Sequence, residues 1–376
     1  MYDMLKLLSC GVNGIQPSKE LISRYQTNTE RLNKLYHISK VHLVDTLTGT
    51  VLKQEGILLP PMWEQDIAKS IRKVILFDEQ RVRIFSFMEQ NGIWHLPLKG
   101  IILKEYYPSI GMRQMSDNDI LFDKDFADIL RDYMISIGYT VESFGQSNHD
   151  VYEKEPVYNF EMHRSLYGSS HDKRWEDYYK DIKNRLVCDT KSSYGYHMTT
   201  EDFYIYLMSH GYKHYTGSGT GIRTLLDFYV YLQKNEQEMD FSYIERECKK
   251  LGIFEFEKRN RILCKKVFEM SSLKNILKVL SKQEWEMLTY YLTSGVYGTM
   301  ERRVENRLKD YKELPRLHYV FNRLFPRKEI YQYYPVVNKH KWLLPGFWIY
   351  RMVAILIKKE RRERMVKEIK IVKKIT

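Results

Sequence analysis

Residues 111–122 read GMRQMSDNDILF, and this stretch decides the fold. Its last four residues, Asp119 to Phe122, are one acid followed by three apolar residues, and they predict a strand. Asp117 and Asp119 are two residues apart at the start of this strand, so both carboxylates project to one side of it. Like charges placed so close need a cation between them, and Mg²⁺ commonly lies between carboxylates and nucleotide phosphates. The stretch therefore predicts a site for Mg²⁺ or Mn²⁺, with a solvated acidic pair in a loop as the alternative.

The residues upstream add features that suit phosphate. Residues 93–98 form a short apolar strand candidate that ends at Lys99-Gly100, and residues 101–107 can form a helix that Pro108 closes. A helix start binds phosphate through backbone N–H groups and the helix dipole. Arg113 and Ser116 place a guanidinium group and a hydroxyl close to the acidic pair.

A third carboxylate lies on a later strand. Residues 157–163 alternate cleanly between apolar and polar side chains, so Glu161 and His163 face away from the apolar side. One face of this strand can pack while the other carries chemistry. Glu161 can then complete a site for two metal ions.

The periodicity divides the chain into three parts. Residues 1–90 are predicted to be a mainly helical N-terminal region, residues 91–170 alternate short strands with helices, and residues 171–376 are predicted to be a helical C-terminal domain with a basic tail. The expected fold class is α+β, with a small mixed β-sheet core flanked by helices.

The residues described above are similar to the motifs of a known enzyme superfamily. Lys99-Gly100 after a strand, then Arg113-x-x-Ser116-Asp117-x-Asp119-Ile120-Leu121, then Glu161, resemble the nucleotidyltransferase superfamily that includes DNA polymerase beta. Within it, the chain is most similar to an uncharacterised bacterial family described as lincosamide or aminoglycoside nucleotidyltransferase-like. The pattern His210-Gly211-x-Lys213-His214, the pattern Gly221-Ile222-Arg223-x-Leu225-x-Asp227 and residues 343–351 resemble the same family. The resemblance extends from about residue 62.

The resemblance implies roles for individual side chains. Asp117, Asp119 and Glu161 would be catalytic and hold the metal, with Glu161 either a third ligand or a general base. Nucleotide contacts would come from the loop and helical wall, namely from Lys99, Gly100, Arg113, Ser116, Lys213, His214 and Arg223. His163 and His210 would face the acceptor. For Arg223, an ion pair with Asp227 four residues later is the structural alternative.

Two positions depart from the superfamily pattern. The usual Gly-Ser after the first strand is Gly100-Ile101 here, which removes a hydroxyl contact to phosphate. Asn118 replaces the apolar residue normally found between the two acidic positions. Neither departure removes a metal ligand.

The charge suggests which partners the chain binds. With 43% hydrophobic and 29% charged residues the chain is neither disordered nor fibrous, and its net charge of +12 suits phosphates, nucleic acid or an anionic membrane surface. Residues 351–376 hold ten of the Lys and Arg residues and only three Glu. The apolar residues 342–357 before them could lie on such a membrane, although packing on the helical domain is the favoured interpretation.

The remaining sequence features predict a cytoplasmic enzyme. Four widely spaced cysteines indicate a reducing compartment, and residues 1–14 do not have the pattern of a signal peptide. The expected reaction moves a nucleoside monophosphate from an NTP to a hydroxyl, with a small molecule such as a sugar or an aminoglycoside-like compound as acceptor. The alternatives are a toxin-type enzyme that modifies protein or RNA, and a catalytically silent scaffold that binds nucleotide or a membrane.

Overall fold

The structure is a computed structural model that describes residues 1–168, 171–269, 278–309, 315–325 and 334–375. It confirms the α+β fold class, with a small mixed sheet and a helical remainder. The residues before the sheet are mainly helical. They form α1 (Tyr2–Asn13), α2 (Lys19–Gln26), α3 (Thr29–Val41), α4 (Asp45–Gln54) and α5 (Pro61–Gln90).

One five-stranded sheet follows these helices. Its strands are β1 (His95–Pro97), β2 (Asn118–Phe122), β3 (Thr140–Ser143), β4 (His149–Lys154) and β5 (Tyr158–His163), in the spatial order β1-β2-β5-β4-β3. Only β2 and β5 pair in parallel, and the other neighbours are antiparallel. The short helix α6 (Gly100–Leu103) connects β1 to β2, and α7 (Ala127–Ser136) connects β2 to β3.

The helix α5 joins two apolar cores. Near its start, Trp63 and Ile67 pack in a core formed with the other N-terminal helices and the later helical region. Further along, Phe77 and Ile84 pack in a second core against the sheet. This 30-residue helix therefore fixes the sheet relative to the helical region.

The chain after the sheet is mainly helical, as predicted. A two-stranded sheet of β6 (Val187–Cys188) and β7 (Tyr196–His197) interrupts it. The helices up to residue 309 are α8 (Lys173–Tyr179), α9 (Thr200–Thr216), α10 (Ile222–Asn235), α11 (Phe241–Leu251), α12 (Phe254–Phe268), α13 (Lys282–Ser294) and α14 (Met300–Lys309). The described C-terminal residues form α15 (Pro315–Leu324), α16 (Pro335–Lys339), α17 (Leu344–Ile357) and α18 (Lys359–Ile375).

The connection after β1 differs from the predicted helix over residues 101–107. It consists of the four-residue α6 and a 3-10 helix, Lys104–Tyr106. The N–H groups of Ile101 and Ile102 bond to Leu98 and Lys99 within this turn. Those two groups are therefore not free to bind phosphate.

Candidate active site

The acidic residues meet because of the register between the two parallel strands. Asp119 of β2 pairs with Glu161 of β5, and Leu121 pairs with His163. Since alternate residues of a strand share a face, Asp119, Glu161 and His163 emerge on one side of the sheet. Their ligand atoms lie within 4.8 Å of one another, which is close enough to hold one metal ion. Asp117 precedes β2 and lines the same cavity, but it lies outside this group of ligand atoms.

Two side chains donate hydrogen bonds to the same oxygen of Asp119. Lys99 Nζ lies 2.6 Å from Asp119 Oδ1, and His163 Nε2 lies 2.8 Å from the same oxygen. A carboxylate only accepts, so the Nε2–H of His163 donates. These bonds fix the orientation of the carboxylate, which is itself nearly fully buried.

The backbone at Lys99 is strained. Its φ is +43°, in the region that residues with a side chain rarely adopt, at a cost of about 1–3 kcal/mol. The conformation occurs at the turn from β1 into α6, where the Lys99 side chain reaches the acidic cluster. The strain is thus located at the residue that contacts Asp119.

Burial and mutual repulsion change the acidity of these carboxyls. Burial raises the pKa of Glu161 to about 8, and the charges of Asp119 and Asp117 add to the shift. Burial and the charge of Asp119 also raise the pKa of Asp117. For Asp119, burial is outweighed by the Lys99 ammonium and the His163 hydrogen bond, so its pKa lies below its usual range. The positive charge of Lys99 therefore neutralises only part of the negative charge that the three acids can carry.

The facing helices supply further positive charge. Lys213 on α9 and Arg223 on α10 line the cavity. Burial and the charge of Lys99 lower the pKa of Lys213 to about 8, and burial and Arg113 lower the pKa of Arg223. Lys213 forms no salt bridge within the part of the chain that the structure describes. Arg223 donates to the carbonyl oxygen of Gln114 at 3.1 Å rather than pairing directly with Asp227. Both cations remain available to a polyanion.

Arg113 is already engaged by a carboxylate. Its Nε and Nη2 each lie 3.0 Å from one oxygen of Asp227, and Tyr107 donates its hydroxyl to the same carboxylate at 2.8 Å. A Cβ on Gly100 would lie 2.6 Å from Arg113 Nη1, so this close approach requires glycine. Arg113 therefore connects the loop before β2 to α10, and Gly100 leaves room for its side chain, whereas the resemblance implied that both residues contact the triphosphate.

The structure brings all the sequence-predicted site residues to one cavity of about 390 Å³. The cavity lies between the sheet and the helices α9 and α10. The predicted residues that line it are Lys99, Gly100, Arg113, Ser116, Asp117, Asp119, Glu161, His163, His210, Lys213, His214 and Arg223. Their roles stay predictions, but their proximity is a property of the fold.

The histidines in the cavity wall are neutral near pH 7. His210 and His214 lie one turn apart on α9, with 3.2 Å between their Nε2 atoms. Burial and nearby cations keep the pKa of both well below the usual range. Burial likewise lowers the pKa of His163 to about 4. These rings offer hydrogen bonds, not positive charge.

Sequence reasoning missed two contributors to the site, His149 and Tyr297. His149 on β4 pairs with His163 in the strand register and lies 3.8 Å from Glu161. Tyr297, between α13 and α14, lines the cavity with a side chain that is 72% exposed. Asn118 between the acids accepts from Arg81 of α5 at 3.0 Å, which explains its departure from an apolar residue. Only the alternation in β4 could have signalled His149.

The mixed sheet thus places acids from two parallel strands opposite helices that contribute Lys213 and Arg223. The chain belongs to the family described as uncharacterised nucleotidyltransferases, whose model matches residues 28–269. The match begins before residue 62, where the resemblance was expected to start, and it ends before residues 343–351. No curated protein and no solved structure matches the chain.

The residues present fit a divalent cation. Asp119, Glu161 and His163 place their ligand atoms together, and Asp117 adds a carboxylate to the same cavity. Burial raises the pKa of Glu161, and the charges of Asp119 and Asp117 add to the shift, so a cation bound between these acids would relieve their repulsion. Carboxylate oxygens are the ligands that Mg²⁺ and Mn²⁺ prefer.

Cation binding is expected to release about one proton per ion near neutral pH. In the metal-free protein the Glu161 carboxyl, with a pKa of about 8, is protonated at neutral pH and must lose its proton to become a ligand. The affinity for Mn²⁺ should therefore rise with pH and level off above the pKa of Glu161. Titration calorimetry in two buffers of different ionisation enthalpy measures the released proton, and Glu161→Gln should remove it. Equal heats in both buffers contradict this prediction.

Proposed function

We propose that this protein transfers a nucleoside monophosphate from an NTP to a hydroxyl of a small molecule, in a reaction that requires Mg²⁺ or Mn²⁺. The observation that carries the proposal is the convergence of Asp119 and Glu161 with Asp117 in a cavity that also contains Lys213 and Arg223. Acids alone would suit many cations. The added lysine and arginine suit a triphosphate bound beside them.

Different side chains of the site have different roles in the proposed reaction. Asp117 and Asp119 hold the cation beside Glu161, while Lys213 and Arg223 bind the triphosphate. When bound, a divalent cation shields the phosphate charge and stabilises the leaving pyrophosphate. Lys99 and His163 orient Asp119, so we assign them positioning roles.

The transfer forms one phosphorus–oxygen bond and breaks another. The acceptor oxygen bonds to the α-phosphorus as the bond to the bridging oxygen of pyrophosphate breaks, and the acceptor proton passes to Glu161 or, where Glu161 is a metal ligand, to the solvent. Glu161 either takes this proton or acts as a third ligand. The two roles differ in one measurable way: loss of a ligand weakens Mn²⁺ binding in Glu161→Gln, whereas loss of a base leaves it unchanged.

The cavity supports a small acceptor. A volume of about 390 Å³ is in the range of small-molecule sites. Neutral imidazoles of His149 and His210 line it together with Asn148, and such groups hydrogen-bond hydroxyls. A sugar or an aminoglycoside-like compound, as in the lincosamide and aminoglycoside nucleotidyltransferases, provides such hydroxyls.

The experiment incubates the full chain with each labelled NTP, Mg²⁺ or Mn²⁺ and a pool of metabolites. We expect pyrophosphate release and label on a small molecule, both abolished by EDTA and by Glu161→Gln. Glu153→Gln, on the exposed side of the neighbouring strand β4, is the matched control that should retain activity. Label on protein or RNA would instead favour the toxin-type alternative, and no release with any NTP would favour a silent scaffold.

Tyr297 is expected to stack on the nucleobase. Its hydroxyl lies 3.2 Å from Ser116 Oγ beside the acidic pair, while its ring is exposed at the cavity. The loop is held in place by a bond from Val296 N to Val41 O and one from Thr299 N to Ser218 O. A planar base extending from the bound phosphates would reach such a ring.

Replacing Tyr297 by alanine should raise the KM for the NTP about tenfold and change kcat little, because stacking contributes about 1–3 kcal/mol per base. Tyr297→Phe keeps the ring and should behave like the wild type. Steady-state kinetics with each NTP measures both constants. A Phe variant as impaired as the Ala variant would show that the hydroxyl, not the ring, matters.

A further inference from the structure

The helix α17 is mainly apolar, with Arg351 as its one charged residue, but it is buried on only one side. Phe347 and Ala354 on its inner face are each 6% exposed. On the outer face, Ile349, Leu356 and Ile357 are 59%, 67% and 75% exposed. With Val353, these side chains follow the spacing i, i+4, i+7 and i+8, so they form one continuous stripe. We call Ile349, Val353, Leu356 and Ile357 the outer stripe.

The contacts of the neighbouring helix α18 determine which side of α17 faces the solvent. Its buried residue Glu368 accepts from Arg323 Nε at 2.6 Å and from Arg323 Nη2 at 3.0 Å. Val372 packs with Val304 and Tyr319 of the preceding helices. These contacts attach the α17–α18 pair to the protein through its inner side and leave the outer stripe uncovered.

A helix with so many apolar residues is ordinarily buried on most of its surface. The exposed outer stripe is therefore expected to contact another apolar surface. Crossing a bilayer is not the explanation, because α17 has 14 residues and a span needs about 20. In the part of the chain that the structure describes, no helix combines the length and apolar character of a membrane span. A surface contact is the remaining way to bury the stripe.

Charge indicates the nature of that surface. The last 26 residues hold ten Lys and Arg and three Glu, so they account for more than half of the net charge of +12. Lys358, Lys359, Arg361 and Arg362 follow the stripe directly and are all exposed. Trp342, 77% exposed just before α17, is a residue type that favours the boundary between lipid and water.

We propose that the outer stripe and the basic residues after it bind an anionic lipid surface, with α17 lying in the plane of the bilayer. Apolar side chains enter the acyl boundary, and lysines and arginines contact the anionic headgroups. A second copy of the chain fits less well, because pairing two such basic segments brings like charges together. This proposal does not depend on the proposed catalytic function.

The test is co-sedimentation of the full chain with vesicles of phosphatidylcholine containing phosphatidylglycerol, against vesicles of phosphatidylcholine alone. Binding is expected to the anionic vesicles only, and to weaken as salt is raised. The triple variant Val353→Ser/Leu356→Ser/Ile357→Ser should bind at least about tenfold more weakly. Its matched control, Leu58→Ser/Ile75→Ser/Val82→Ser, changes three exposed apolar residues elsewhere and should bind like the wild type.

A second variant distinguishes a loss of lipid binding from misfolding of the first variant. Arg361→Glu/Arg362→Glu reverses two exposed charges and should also lose binding, with unchanged circular dichroism. Equal binding to neutral and anionic vesicles, or a stripe variant that binds like its control, would overturn the proposal. So would self-association in light scattering that the stripe variant abolishes while no vesicle binding is found.

Discussion

Replacing Asp119 by asparagine is expected to lower the rate of pyrophosphate release by about three orders of magnitude. The substitution keeps the shape of the side chain but removes the charge that faces Lys99 and the cation. Asp119 is the acid whose pKa lies below its usual range, so it is the member of the cluster that is ionised throughout the neutral range. Initial rates with saturating NTP and Mn²⁺ measure the effect.

The matched control for this substitution is Asp128→Asn. Asp128 lies on α7 with a side chain that is 77% exposed, so its loss should leave the rate unchanged. Circular dichroism and thermal unfolding of both variants show whether the fold is intact. An Asp119→Asn enzyme that is folded and within tenfold of the wild-type rate would exclude Asp119 from the chemistry.

Replacing Asp227 by alanine is expected to lower the free energy of unfolding by about 3–5 kcal/mol. Arg113 is 7% exposed and bonds both oxygens of Asp227, so the substitution leaves a buried guanidinium without its partner. The hydroxyl of Tyr107 loses its acceptor as well. Urea denaturation followed by circular dichroism measures the change.

Two further variants separate a structural role of Arg113 from phosphate binding. Arg113→Met/Asp227→Leu removes both charges and should recover much of the lost stability, because neither partner is then left unpaired. Glu30→Ala breaks the exposed pair with Lys34 and should leave the stability almost unchanged. If Arg113→Met alone raised the KM for the NTP without lowering stability, Arg113 would be a triphosphate contact.

Much of the architecture could be predicted because it depends on the local spacing of apolar and polar residues. The alternation in residues 157–163 predicted β5 and the placement of Glu161 opposite the apolar face, and helical spacing predicted that the chain after the sheet is mainly helical. The two-stranded sheet of β6 and β7 was missed, since two-residue strands have no period to detect. The helix after β1 was predicted too long because apolar spacing does not distinguish an α-helix from a short turn and a 3-10 helix.

The amino-acid sequence alone was enough to predict the candidate site residues, because the acidic pair, the lysine after β1 and the acid on a later strand are local patterns. Only the tertiary structure decided how these groups are used. Arg113 meets Asp227 across 114 residues, and His163 meets Asp119 across 44. Such partners are chosen by the pairing of β2 with β5 and by the packing of α10 on the loop before β2. These are long-range contacts, and no spacing along the chain encodes them.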